Sequence, residues 1–376
     1  MSSVPVLSVG ALSIGDCSMG GSAKSKSYDV RRDTGIDLYK VLAMFLVVLY
    51  HVCVHGAKTA MEDVSVTTSA WWTLDTVRSL ASCCINCFAL VTGYLMYGKE
   101  TKWQNLARIW VQVAFSAFAC ALAIKVLSPV LGVKVSSRWI LKPLTPVLSR
   151  SYWYVNAYIG LFFVMPFVNR LLASLDVRAH ARMALTFVGV FSLVRTFAGN
   201  DIFGMNEGFS TAWLAILYVI GAYVKRSGLA KKISSRSLWG LLAAGTLWTI
   251  LSGLVLCRAE RRIPYDTLPL VMISFALMLL FLRTEWKGRW ALFIARAAPL
   301  TFGVYLFHNA PSVKNFLMTD SFNFLYGAMN PLGALVAALG IALVIFIMCL
   351  ALEWIRVKLA NLLCDKIAPF MPDWRK

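Results

Sequence analysis

Chemically capable residues are few in this sequence, and the most suggestive group shares one short stretch. DTGIDLYKVLAMFLVVLYHVCVHG, residues 33 to 56, carries Asp37, Lys40, His51 and His55 among apolar neighbours. Lys40 and His51 stand eleven residues apart. In a helix that is about three turns, so both side chains fall on one face about 16 Å apart. A neutral imidazole accepts a proton near neutral pH, as a general base must. A lysine near the start of the same face offers a fixed positive charge to an anionic group. Asp37 precedes Lys40 by three residues, the spacing of a helical ion pair. The plainer alternatives are a histidine bonded to a neighbouring helix, a lysine that snorkels to a membrane surface and a carboxylate that favours a helix N-terminus.

Further along, Tyr305 and His308 share a helical face, and His308 is a second candidate for proton transfer. Trp153, Tyr154 and Tyr158 open another apolar run, where aromatic side chains form either an interfacial belt or a stacking surface for a sugar. Arg195 lies inside a fifth run and calls for a partner, an anionic substrate or a carboxylate such as Asp201 or Glu207.

These groups need elements to hold them. Of the 376 residues, 59% are hydrophobic and 15% are charged, and the mean hydropathy is +0.68. That is far more apolar and less charged than a soluble domain. The excess is spread over ten runs near the length of a bilayer span: 38–55, 76–97, 106–128, 153–172, 182–199, 211–225, 237–257, 266–283, 291–310 and 331–355. The expected fold is all-α, a polytopic membrane helix bundle of about ten transmembrane helices. Pro299 and Gly303 predict a kink or break in the ninth.

The net charge of +19 comes from basic residues clustered between runs. With the N-terminus inside, 24 fall on the cytoplasmic side and 9 outside, which predicts cytoplasmic N- and C-termini and argues against a nucleic-acid partner. Residues 1–30 read as a disordered cytoplasmic leader without a cleaved signal, 31–360 as the membrane domain and 361–376 as a cytoplasmic tail. Cys83, Cys84 and Cys87 lack a second pair or a nearby histidine and read as packing residues rather than a metal site.

DLYKVLAMFLVVLYH resembles the opening helix of the integral membrane acyltransferase family 3, with His51 at the family's histidine and Lys40 where arginine is usual. FALVTGYLMYGKE resembles its second helix, with Thr92 for the usual serine. Arg108 matches the second member of a following arginine pair, and Asn105 stands at the first. SYWYVNAYIGLFFVMPFVNRLL, WLAILYVIGAYVK and APLTFGVYLFH resemble three later segments in the family's order. The likeness runs from about residue 30 to 356 and fits the stand-alone type, without a fused soluble domain.

The resemblance implies transfer of an acyl group, usually acetyl, from acetyl-CoA or another acyl-CoA to a hydroxyl of an envelope glycan or lipid-linked sugar. It implies no metal, and a multi-pass protein of a bacterial plasma membrane in contact with lipid. Lys40 and Arg108 are then expected to hold the donor's phosphates. His51, with Asp37 and His308, is expected to carry the chemistry. Trp153, Tyr154, Tyr158, Arg195 and Tyr305 are expected to meet the substrate. An acyl-His51 intermediate is the alternative to general-base action. A permease on the same scaffold, without acyl transfer, is the alternative function.

Overall fold

The structure, a computed structural model, describes residues 33–63, 68–136, 151–256, 263–327 and 329–367, with positions 139, 145, 147 and 149 between. The expected leader, 1–30, lies outside the described residues. Of the expected tail, 361–367 continue the last helix and 368–376 lie outside the described residues.

Each of the ten apolar runs is helical. The helices are α1 Thr34–Val54, α2 Ser69–Met96, α3 Trp103–Leu131, α4 Trp153–Ser174, α5 Val177–Ala198, α6 Thr211–Ser227, α7 Ser235–Leu256, α8 Leu268–Phe281, α9 Gly288–His308 and α10 Pro331–Ile367. Among the described residues seven are long and apolar enough to cross a membrane by length and composition, and α6, α7 and α8 are not among those seven. The chain is a polytopic helical membrane protein, and among the described residues it has no strand. That is the expected class, because a segment in hydrocarbon must satisfy its backbone hydrogen bonds within itself.

Capping residues set several helix starts earlier than hydropathy does. The Asp33 carboxylate accepts from Ile36 N–H and starts α1 at Thr34. Thr68 accepts from Trp71 N–H and starts α2 at Ser69, seven residues before the apolar run becomes obvious. α2 breaks at Ser82 and Cys83 before resuming at Cys84. α9 is interrupted, as expected, by a 3₁₀ turn at Ala298–Leu300, where Pro299 lacks an N–H to give.

Helices α1 and α2 are the centre of the bundle. In their apolar windows 67% and 78% of residues are buried, against 17% for α5 and 22% for α10 at the periphery. α2 and α6 meet backbone to backbone. A Cβ at Gly93 would strike the Tyr218 carbonyl, and one at Gly221 would strike the Leu90 carbonyl. Both glycines sit in the Gly-Tyr and Gly-Ala-Tyr motifs, so small size is what those positions require.

The loop that follows α1 is stapled to the segment before α10. Asp320 accepts from Thr59 N–H at 2.7 Å and from the Thr59 hydroxyl at 2.9 Å. The Asp320 and Phe322 amides donate to the His55 and Gly56 carbonyls. This clamp fixes the end of α1 that carries His51.

Candidate active site

His51 and His308 come together from opposite ends of the sequence. The α1 imidazole lies with Nδ1 2.9 Å from Nε2 of His308, which ends α9. His308 Nδ1 is 2.6 Å from the Val304 carbonyl. A carbonyl only accepts, so His308 carries its proton on Nδ1. In a neutral imidazole the other nitrogen is then an acceptor, so His51 must donate through Nδ1. The lone pair of His51 is thereby left on Nε2. Local geometry has selected the tautomer in which the outer nitrogen of His51 is basic. Burial excludes bulk water from the pair, with His51 8% and His308 2% exposed. The His55 ring stands 4.9 Å from that of His51.

Below the pair a cavity of about 880 Å³ runs between α1, α2, α3, α4, α9 and α10. On α1 it is lined by Lys40, Met44 and Val47, positions separated by four and three residues on the face that continues to His51. It stops one turn short of His51, at Val47 and Tyr305. The Tyr305 ring lies 6.2 Å from that of His308. Tyr154 and Tyr158 line the same cavity. Trp153 does not: its ring stacks on Tyr265 at 6.1 Å and meets Phe209 at 4.5 Å.

Lys40 lines the far end of the cavity, with Nζ 2.6 Å from Asp37 Oδ1. Arg108 is exposed and takes no part in the lining. Two cations that sequence reasoning passed over do line it, Arg296 of α9 and Lys358 of α10, both exposed at the rim.

A second omission lies deeper. Glu353 of α10 lines the cavity at 1% exposure. Its carboxylate accepts from Arg356 Nε at 2.7 Å and Nη2 at 2.6 Å, and from Gln112 Nε2 of α3 at 2.9 Å. A Cβ at Gly303 would collide with this carboxylate, which is why α9 carries glycine there. The sequence signal was an acid near the end of the tenth apolar run, with arginine three residues on.

The other cations inside spans also face partners. Arg78 pairs with Asp75 one turn away. Lys125 Nζ donates to the Val135 carbonyl at 2.8 Å. Arg195 was expected near Asp201 or Glu207. It stands instead 3.5 Å from Asp266, in the connection before α8, while Asp201 accepts from the Met205 and Asn206 amides. Asp266 is fully buried. Burial pushes its carboxyl up to about 6 against the opposing pull of Arg195. Cys83, Cys84 and Cys87 are buried free thiols at the break in α2.

The arrangement can do acid–base chemistry at the end of an apolar passage whose other end is cationic. A basic nitrogen is presented by one histidine and oriented by another, a lysine lies three turns below, and a cavity follows the helix face between them. No curated protein and no solved structure matches the chain. A family model described as an acyltransferase domain matches residues 33–354, which takes in α1 through most of α10 and both histidines. The chain therefore belongs to the membrane acyltransferase family 3.

Proposed function

We propose that this membrane acyltransferase moves an acyl group from cytoplasmic acyl-CoA to a hydroxyl of an envelope glycan or lipid-linked sugar, at the plasma membrane of a bacterial cell. The observation that carries the reading is the continuity of one helix face: Lys40, Met44 and Val47 line the cavity, and His51 follows one turn later. With the N-terminus inside, as the charge bias predicts, Lys40, Arg296 and Lys358 face the compartment where CoA is made. They hold its phosphates by charge-assisted contacts. The thin pantetheine arm occupies the cavity and delivers the thioester towards Tyr305 and His51. Tyr154 and Tyr158 flank that end.

His51 then acts as general base. Its Nε2 takes the proton of the acceptor hydroxyl as the oxygen attacks the thioester carbon. The new C–O bond forms, the C–S bond breaks and the CoA thiolate leaves with the proton returned by the imidazolium. His308 Nε2 keeps accepting from His51 Nδ1 throughout, so the charge that develops on His51 is held by a preset hydrogen bond. Asp37 orients Lys40.

The test is acyl transfer by the purified full chain in vesicles supplied with labelled acetyl-CoA and extracted envelope glycan. His51→Ala is expected to fold, to keep binding CoA and to lose transfer. Undiminished transfer by that variant would remove His51 from the mechanism, and no CoA-dependent transfer by the wild type would remove the reading itself.

A further inference from the structure

We propose that Glu353, held by Arg356 and Gln112, is a binding site in the cavity wall for an amide N–H of the donor's pantetheine arm, the amide farther from sulfur. This rests on the reading of acyl-CoA as donor and names a contact that reading leaves open.

Most of the cavity wall is apolar, with Met44, Ile85, Phe88, Ile109, Phe302 and Leu350 among its residues. An amide that enters such a passage without a partner loses its hydration with nothing in return. It needs an acceptor partway along. Glu353 is that acceptor by position. On α10 it lies five residues, about 7.5 Å, from the rim cation Lys358 and six residues, about 9 Å, from Ile347 at the other extreme of the lining. It packs directly against Gly303 of α9, two residues before Tyr305.

It also has capacity to spare. An ionised carboxylate offers about four lone-pair sites. Arg356 fills two and Gln112 fills one, so one remains. Beside it, Gln112 Oε1 is buried at 2% exposure and has no hydrogen-bond partner in the structure. Two acceptor sites thus remain open, one on Glu353 in the cavity lining and one on Gln112, which is bonded to it. The ionised carboxylate can only accept, so the ligand group it suits is an N–H.

Charge balance supports the same ligand. A bare carboxylate in the passage would repel the phosphates bound for the rim. Arg356 cancels that field at hydrogen-bond distance, so Glu353 acts as an acceptor without acting as a net charge. The backbone has been arranged to seat it, because only glycine at 303 leaves room for the carboxylate. A purely structural staple between α3 and α10 would not need a place on the cavity wall.

The experiment compares two donors, acetyl-CoA and an analogue in which the amide farther from sulfur is an ester, which lacks the N–H. The full chain in vesicles is expected to show a KM at least tenfold higher for the ester donor with kcat little changed. Glu353→Gln and Gln112→Leu are expected to shrink that ratio towards one. Equal KM values in the wild type overturn the proposal even where a variant fails to fold, and so does a ratio that both variants preserve. If the wild type transfers from neither donor, the donor assignment itself has failed, a result separable from loss of discrimination alone.

Discussion

Nδ1 of His51 and Nε2 of His308 lie 2.9 Å apart, 257 residues distant in sequence, and the Val304 carbonyl decides which of them donates. In the proposed mechanism the dyad is a base held by an orienting group, and the orienting group is neutral. It fixes ring and tautomer without adding a charge to a low-dielectric site, where an unbalanced charge would be costly.

If His308 orients His51, replacing it should slow the chemistry and leave donor binding alone. His308→Phe removes the acceptor and is expected to lower kcat about a hundredfold, within the range of acid–base contributions, with the KM for acyl-CoA unchanged. His308→Gln, whose amide oxygen also accepts, should recover part of the rate. Steady-state kinetics in vesicles check both, and equal losses for the two variants would point to packing instead.

Lys40 should act through charge more than through fork geometry, since it lines the cavity and is tied to Asp37. Lys40→Arg is expected to transfer normally. Lys40→Met is expected to raise the KM for acyl-CoA about tenfold and to weaken its dependence on salt, because a phosphate contact has been lost. Asp37→Asn should show a milder form of the same change.

Gly303→Ala tests the close approach of α9 and α10. The added Cβ meets the Glu353 carboxylate and cannot be relieved without moving α10 or breaking the Gln112 contact. A loss of about 1–3 kcal/mol in stability is expected, the usual cost of overpacking, seen as a lower unfolding temperature in detergent. The loss should persist in a Glu353→Gln background, since its origin is steric.

Asp266 predicts a pH dependence. Its carboxyl ordinarily titrates at 3.8 and is pushed up to about 6 in the fold by burial. The folded state therefore holds the proton more tightly than the unfolded state. Stability is highest below the ordinary value and falls as pH rises from about 4 to about 6, by on the order of 3 kcal/mol, then levels off. Asp266→Asn should flatten that slope, although Arg195 loses its counter-charge. Unfolding temperatures across pH 4 to 8 measure the slope directly.

Ten helical segments, the break at Pro299 and the candidacy of His51, Lys40 and His308 were legible in the sequence. Each depends on local facts: an apolar run in a bilayer has to satisfy its own backbone, proline has no N–H to give, and an ionisable group inside such a run stands out. Helix starts were less legible where a cap outran the hydropathy, as at Thr68. The partners were not legible. Asp266 for Arg195, and Gln112 for Glu353 across 241 residues, are choices made by which helix faces which. Arg356, three residues after Glu353, is a partner the local spacing allows, whereas Gln112 comes from another helix. One sequence specifies the period of each helix, but side chains on separate helices share no spacing rule. Their meeting is set by backbone approaches such as Gly93 to Tyr218 and by the clamp at Asp320, and only the packed bundle contains those.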